Sequence, residues 1–249
     1  MFLRDTILVL RREPFSRTSL RLECWSARRG PLALVARGVM RPRNNRLGDV
    51  PCVFDVARSV YLARPAGGRA LLVDYAVLRS LRQRLEAPTW EWLSAVAVLR
   101  EALAALWGGY PVDAAEGRRV FLTLWRLHGM LGRMEPFWWA VAGSLRLLVH
   151  AGLAPNLDRC AGCGRRLERA VLSMREEGLY CPSCRPKGEV VAGRRVLDFL
   201  RLVARDERRA LRANGSAGPV VRLLRGWFSV TIGSDMRAFE MLSPPRGRT

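Results

Sequence analysis

The sequence predicts an α+β multidomain chain: an N-terminal OB-fold β-barrel, then an α-helical domain carrying an inserted four-cysteine zinc module. Three observations predict it. Short runs rich in Val, Leu and aromatic residues fill residues 1–80, apolar residues recur at helical spacing after about Asp74, and two C-x-x-C pairs, Cys160/Cys163 and Cys181/Cys184, interrupt the helical part.

The strand candidates are "TILVLR", "LRLECW", "PLALVA", "VPCVFDV", "SVYLAR" and "ALLVDY", separated by turn-like "RRGP", "RPRNNRLGD" and "RPAGGR". In "SLRLECW", Leu20, Leu22 and Cys24 alternate with Arg21, Glu23 and Trp25, which assigns one face to a core. Five or six short strands in so few residues point to a small closed barrel, with the OB-fold as the leading candidate.

Thr89 is placed to cap a helix through "WEWLSAVAVLREALAALWGG", which Gly108 and Gly109 end. A second helix carries Val120, Leu124, Leu127 and Leu131 on one stripe, a third begins at Pro136, Val196, Leu200 and Val203 mark a fourth, and "GPVVRLLRGWFSVTIG" is a fifth before a tail "SPPRGRT". The expected domains are residues 1–80 (OB-fold) and 81–249 (helical), with the zinc module at about 156–190.

Charge bounds the function. There are 42 Lys and Arg against 22 Asp and Glu, a formal net charge of +20, and Lys187 is the single lysine. Residues 1–80 hold 15 basic and 6 acidic side chains and residues 193–249 hold 12 and 5, so the excess sits at the two ends. A polyanion is the expected partner. "MFLRDTILVL" is broken by Arg4 and Asp5, and "FWWAVAGSLRLLVHAGL" by Arg146 and His150. Neither reads as a signal peptide or a membrane span, so no membrane partner and a cytoplasmic, nucleoid-associated location are expected.

In that compartment clustered cysteines are metal ligands before they are disulfides. Each C-x-x-C turn aims two thiolates inward, and Cys160, Cys163, Cys181 and Cys184 together satisfy one tetrahedral Zn²⁺. Four thiolates leave no position for a catalytic water, so the ion is a scaffold. Cys24 and Cys52 are expected to be buried small hydrophobes. Lys187 in "CRPKGE" lacks the Gly-rich loop of an NTPase, and His128 ("HGM") and His150 ("HAG") lack the H-x-E of a zinc deaminase. No catalytic residue is assigned, although Asp49, Asp55 and Asp74 leave a metal-dependent nuclease open as an alternative.

Arg37, Arg41, Arg43 and Arg46 in "ARGVMRPRNNR" form the densest basic cluster of the β region, suited to tracking phosphates without reading bases. A second set, led by Arg194 and Arg195 and continuing through Arg201, Arg205, Arg208, Arg209 and Arg212, either extends that track or is a solvated helix face. Trp25 and Tyr61 either stack on bases or pack against the helical domain.

The chain resembles the bacterial RecO family of recombination mediators in three places: "ILVLRREPFSRTSLRLECWSARRGPLALVARGVMRPRN", "AGLAPNLDRCAGCGRRL…EEGLYCPSCRP" and "GWFSVTIGSDMRAFEML". The resemblance implies an OB-fold, a helical domain and a zinc module inserted between helices. It further implies a non-enzymatic protein that binds single- and double-stranded DNA and anneals complementary strands. The implied partners are RecR and single-stranded-DNA-binding protein, with RecA loading assisted indirectly. An RNA-binding zinc protein is the remaining alternative.

Overall fold

The computed structural model describes residues 1–41, 47–63, 69–85, 89–108, 112–173, 175–185, 190–206, 208 and 217–242. Among these residues five strands open the chain: β1 (Phe2–Ser16), β2 (Ser19–Ser26), β3 (Gly30–Ala36), β4 (Val56–Leu62) and β5 (Ala70–Arg79). They close into a barrel in the order β1-β2-β3-β5-β4. Closure is possible because β1 is long enough to serve two neighbours: Phe2–Leu8 pairs with β4, and Ile7–Ser16 pairs with β2 across two register shifts. The short parallel pairing of β3 with β5 completes the OB-fold. Inward positions alternate along the strands, as the pleat requires, and Ile7, Val9, Leu22, Leu34, Tyr61 and Tyr75 fill the interior.

The expected strand "VPCVFDV" is not one until its last residue. Asp55 accepts the Cys52 N–H at 2.8 Å, its own N–H reaches Cys52 O, and Phe54 adopts φ 66°. A side chain that bonds its own backbone in this way competes with the ladder and makes a turn.

Among the described residues six helices follow: α1 (Leu81–Arg84), α2 (Trp90–Trp107), α3 (Ala114–Gly129), α4 (Pro136–His150), α5 (Arg194–Arg205) and α6 (Ala217–Ile232). Asp113 caps α3 by accepting the Glu116 N–H at 2.8 Å, and Pro136 opens α4. Between α4 and α5 lies a three-stranded sheet, β6 (Arg169–Ser173), β7 (Gly178–Tyr180) and β8 (Val190–Gly193), in the order β7-β6-β8. The tail from residue 243 lies outside the described residues.

Two compact units result, one of Met1–Pro88 with Trp107–Leu131, the other of Thr89–Leu106 with Gly132–Thr249. In the first, α3 packs on β2 and β3: the Trp25 indole N–H donates to Gly117 O at 3.0 Å, and a Cβ on Gly117 would sit 3.0 Å from the Gly30 nitrogen. In the second, the apolar helix α4 is buried on nearly every side, with Trp92 and Trp139 meeting edge to face. Helix α6 approaches β6 so closely that a Cβ at Gly226 would lie 2.5 Å from Leu172 Cδ2, so a larger residue there requires the Leu172 side chain to move. Glu101 caps the terminal 3-10 helix (Arg237–Met241) by accepting the N–H groups of Arg237 and Ala238 at 2.9 and 2.7 Å.

Candidate metal centre and nucleic-acid interface

The two C-x-x-C turns converge. One ligand atom from each of Cys160, Cys163, Cys181 and Cys184 lies within 4.8 Å of all the others, and Cys163 Sγ to Cys181 Sγ is 3.8 Å. Four thiolates held at about 2.3 Å around one tetrahedral ion would stand about 3.8 Å apart, so the cluster fits such an ion. Local backbone geometry makes the pocket. Cys160 N–H donates to Arg165 O and Gly164 N–H to Cys160 O, both at 2.9 Å, with Gly164 at φ 70°, while the Cys184 N–H closes the second turn on Cys181 O at 3.0 Å. Gly162 lies against the cluster: a Cβ there would stand 3.2 Å from Cys184 Sγ, so the sulfur would have to give by a few tenths of an ångström.

Electrostatics agree with a thiolate site. Burial works to raise the Cys160 thiol, but the N–H groups of Cys181, Cys163 and Gly162 aimed at the sulfur bring it down to about 6. The neighbouring sulfurs push Cys184 up to about 12, because thiolates this close cannot all ionise alone. A cation in their midst removes that penalty. Among the described residues no other group of three or more His, Cys, Asp or Glu side chains gathers, and Asp55, turned into the barrel, has its carboxyl raised by burial. Cys24 lies in the barrel core, while Cys52 is half-buried in the turn before β4, with the Arg12 guanidinium 3.7 Å from its sulfur.

The basic residues separate into distinct circumstances. Arg37 and Arg41 stand exposed on the turn after β3, without an acidic partner within 4.0 Å among the described residues. That turn is pinned: Met40 N–H donates to Thr18 O at 3.0 Å, Gly38 N–H to Ser19 Oγ at 3.2 Å, and Val39 and Leu47 are buried in the barrel core. Arg43 and Arg46 lie outside the described residues, as do Arg209 and Arg212. Arg194 and Arg195 are exposed in the first turn of α5, whose Gly193 cap offers no side-chain acceptor. Arg194 lies 3.8 Å from both Glu168 and Asp198, Arg205 is exposed, and Arg208 pairs with Asp206 at 3.0 Å.

Arg201 departs from the basic track expected of its helix. Its side chain is only 8% exposed, and its guanidinium donates to Leu157 O at 2.6 Å and Leu167 O at 2.8 Å while pairing with Asp158 at 3.0 Å and Asp198 at 2.6 Å. It clamps the chain on both sides of Cys160 to α5. Trp25 and Tyr61 are each 1% exposed, which overturns the base-stacking option for both. Trp25 meets Trp107 edge to face, and Tyr61 belongs to the barrel interior.

Comparison with known proteins agrees with this architecture. The family described as recombination protein O, C terminal, matches residues 123–238, which span the cysteine cluster and α4 to α6. A DNA repair protein RecO of Rubrobacter xylanophilus is 30% identical over 189 residues, covering 73% of this chain and 71% of the relative. The chain belongs to the RecO family. Proteins of the same name from Moorella thermoacetica (26% over 181 residues, 72% of this chain and 64% of the relative) and Halalkalibacterium halodurans (24% over 186 residues, 74% and 69%) are similar in extent. Among the described residues of this RecO-family chain, no helix is long and apolar enough to cross a membrane.

The sequence reading missed three residues on the barrel. Arg4 of β1, Arg28 of the β2–β3 turn and Arg58 of β4 line one open trough, although they are far apart in the chain. The signal for Arg4 and Arg58 was alternation, since each neighbours a residue that belongs inside, Asp5 and Ser59; Arg28, in a turn, carried no such signal.

Proposed function

We propose that the chain is a non-catalytic DNA-binding recombination mediator acting in DNA repair. It binds single- and double-stranded DNA, anneals complementary strands and assists RecA loading, working with RecR and single-stranded-DNA-binding protein in the cytoplasm. Family membership supports the repair role, and the observation that carries the DNA contact is the pinned turn presenting Arg37 and Arg41. Arginines there, continued by Arg43 and Arg46, meet phosphates and release counterions, giving binding that tolerates any sequence and weakens with salt. Arg194 and Arg195 offer a contact of their own on α5, where cations beside the positive end of a helix dipole favour an anion between them.

Annealing follows from the same electrostatics. Two strands repel through their phosphates, and a surface that neutralises both lowers the cost of bringing them together. In this reading the four-cysteine cluster holds one Zn²⁺ in a closed sphere, and the ion organises structure without entering any reaction. The test is annealing of complementary oligonucleotides coated with single-stranded-DNA-binding protein, using zinc-loaded protein without nucleotide. Accelerated annealing of intact strands is expected, whereas strand cleavage, or binding without annealing, would overturn the mediator reading.

A further inference from the structure

The position of α3 changes what the barrel offers a ligand. OB-folds ordinarily take nucleic acid across the face of their second and third strands. Here the Gly30 end of β2 and β3 is occupied by the chain itself, through Trp25 on Gly117 O and the close approach of Gly117 to Gly30. The strands β1, β4 and β5 are different. They carry an open trough of about 460 Å³.

We propose that this trough is a second phosphate-binding site of the barrel, taking the sugar–phosphate backbone of a single nucleic-acid strand independently of the Arg37–Arg41 turn. The inference rests on the nucleic-acid-binding reading above and adds a second surface to it.

The strand register builds the site. On β1 and β4, Arg4 faces Val60 and Thr6 faces Arg58; on β4 and β5, Val60 faces Asp74 and Arg58 faces Ala76. Asp5 and Ser59 lie between these positions and are buried, so alternation turns Arg4 and Arg58 outward on neighbouring strands. Arg28 comes from the turn beside them, and that turn is fixed. Ser26 Oγ accepts the N–H groups of Arg28 and Arg29 at 3.1 and 2.9 Å while its hydroxyl donates to the buried Asp5 carboxylate, and Ala27 N–H donates to Thr6 O at 2.9 Å.

The chemistry suits one strand. Arg4, Arg28 and Arg58 are exposed, and none has an acidic partner within 4.0 Å among the described residues, unlike Arg11, Arg194 or Arg225. Val60 and Ala76 leave a low apolar floor between the guanidinium groups, where a sugar or base ring can lie. Asp74 on the far edge repels phosphate and accepts base amino groups, which gives the trough a charged gradient across the strand. A volume of this scale holds a ligand of drug-like size, hence one or two nucleotides and not a stacked duplex.

The test compares two variants of the full chain, Arg4→Ala/Arg28→Ala/Arg58→Ala and Arg37→Ala/Arg41→Ala, by anisotropy of a fluorescein-labelled oligo(dT) over a salt series. Each single-strand phosphate contact contributes about 0.7 to the slope of log K against log[salt]. The triple variant should therefore lose about 2 from the slope at unchanged melting temperature, and combining both sets should remove both increments. Arg58→Lys, which keeps the charge, should retain most of the slope that Arg58→Ala loses. A wild-type protein that binds with an ordinary slope and a triple variant that retains it would overturn the trough alone. Wild-type protein that does not bind oligo(dT) even at low salt would overturn the nucleic-acid reading and the trough with it. Displacement by dTMP at the trough with no change in oligonucleotide slope would refute the strand assignment.

Discussion

Arg37 and Arg201 are the same side chain in opposite circumstances. Arg37 stands on a pinned turn of the barrel unit, exposed and without an acidic neighbour among the described residues, while Arg201 is buried in the other unit against two backbone carbonyls and two aspartates. Both count equally toward the net charge of +20. The difference teaches that a basic composition names a class of partner, whereas availability is decided residue by residue by which carbonyls and carboxylates the fold brings near. Arg201 ties the cysteine segment to α5 and cannot also hold a phosphate. Arg37 has no such partner among the described residues.

The comparison breaks hardest at the cysteines. Cys160→Ser should abolish stoichiometric zinc and lower the melting temperature by on the order of 10 °C, because metal affinity is folding free energy in such a site. Elemental analysis beside calorimetry checks it, and a stable metal-free variant would remove the scaffold role. DNA binding by the fraction that stays folded should persist.

Next is Arg201→Met. Losing the guanidinium leaves two carbonyls without their donor, but Asp158 and Asp198 are each about half exposed and recover water, so the cost should be about 2–3 kcal/mol by denaturant unfolding. Oligonucleotide affinity should stay unchanged. A variant of wild-type stability with weakened binding would reverse the roles assigned to Arg201 and Arg37.

A comparable effect is expected of pH on the barrel unit. His128 is fully buried, with its ring stacked on Phe54, and burial first, then the nearby Arg79 and Arg84, bring its pKa from 6.5 down to about 4. The unfolded chain therefore binds the proton more readily, so stability is intact above pH 6.5 and declines as pH falls toward 4, by on the order of 2–3 kcal/mol. Asp55, whose carboxyl is raised, acts in the opposite direction, so the comparison that isolates His128 is His128→Phe against wild type. Equal acid sensitivity in both would show that the imidazole is not responsible.

The smallest effect on stability, and the sharpest on binding, belongs to Arg37→Glu/Arg41→Glu. Stability should change by less than about 0.5 kcal/mol, since neither side chain supports the fold. Affinity should fall for every oligonucleotide sequence, with the salt slope lower by about 1.4 for single strands. Unchanged affinity and slope would locate the contact elsewhere.

Much of this was legible in the residues. The C-x-x-C spacing foretold the cluster of four cysteines, because two tight turns leave few ways to arrange thiols other than toward one point. The stripe of Val120, Leu124 and Leu127 is fully buried on α3, and Pro136 opens α4. What failed to show was anything depending on a partner distant in sequence. Alternation put Trp25 on the outer face of β2 correctly, yet it could not reveal that α3 covers that face and buries the indole on Gly117. Nor could helical periodicity tell Arg201 from Arg205: both fall on polar positions of α5, and only the carbonyls of Leu157 and Leu167 separate them.

The order of elements, the barrel and helical character of the two regions, the set of four converging cysteines and the excess of positive charge follow from composition, period and spacing, which are local properties of the chain. Which arginines remain free, which aromatics are buried and which side of the barrel stays open were decided by tertiary packing. These are questions of desolvation and hydrogen-bond pairing between groups that the sequence leaves far apart, and burial alone determines whether a charged or aromatic side chain faces water or another part of the protein.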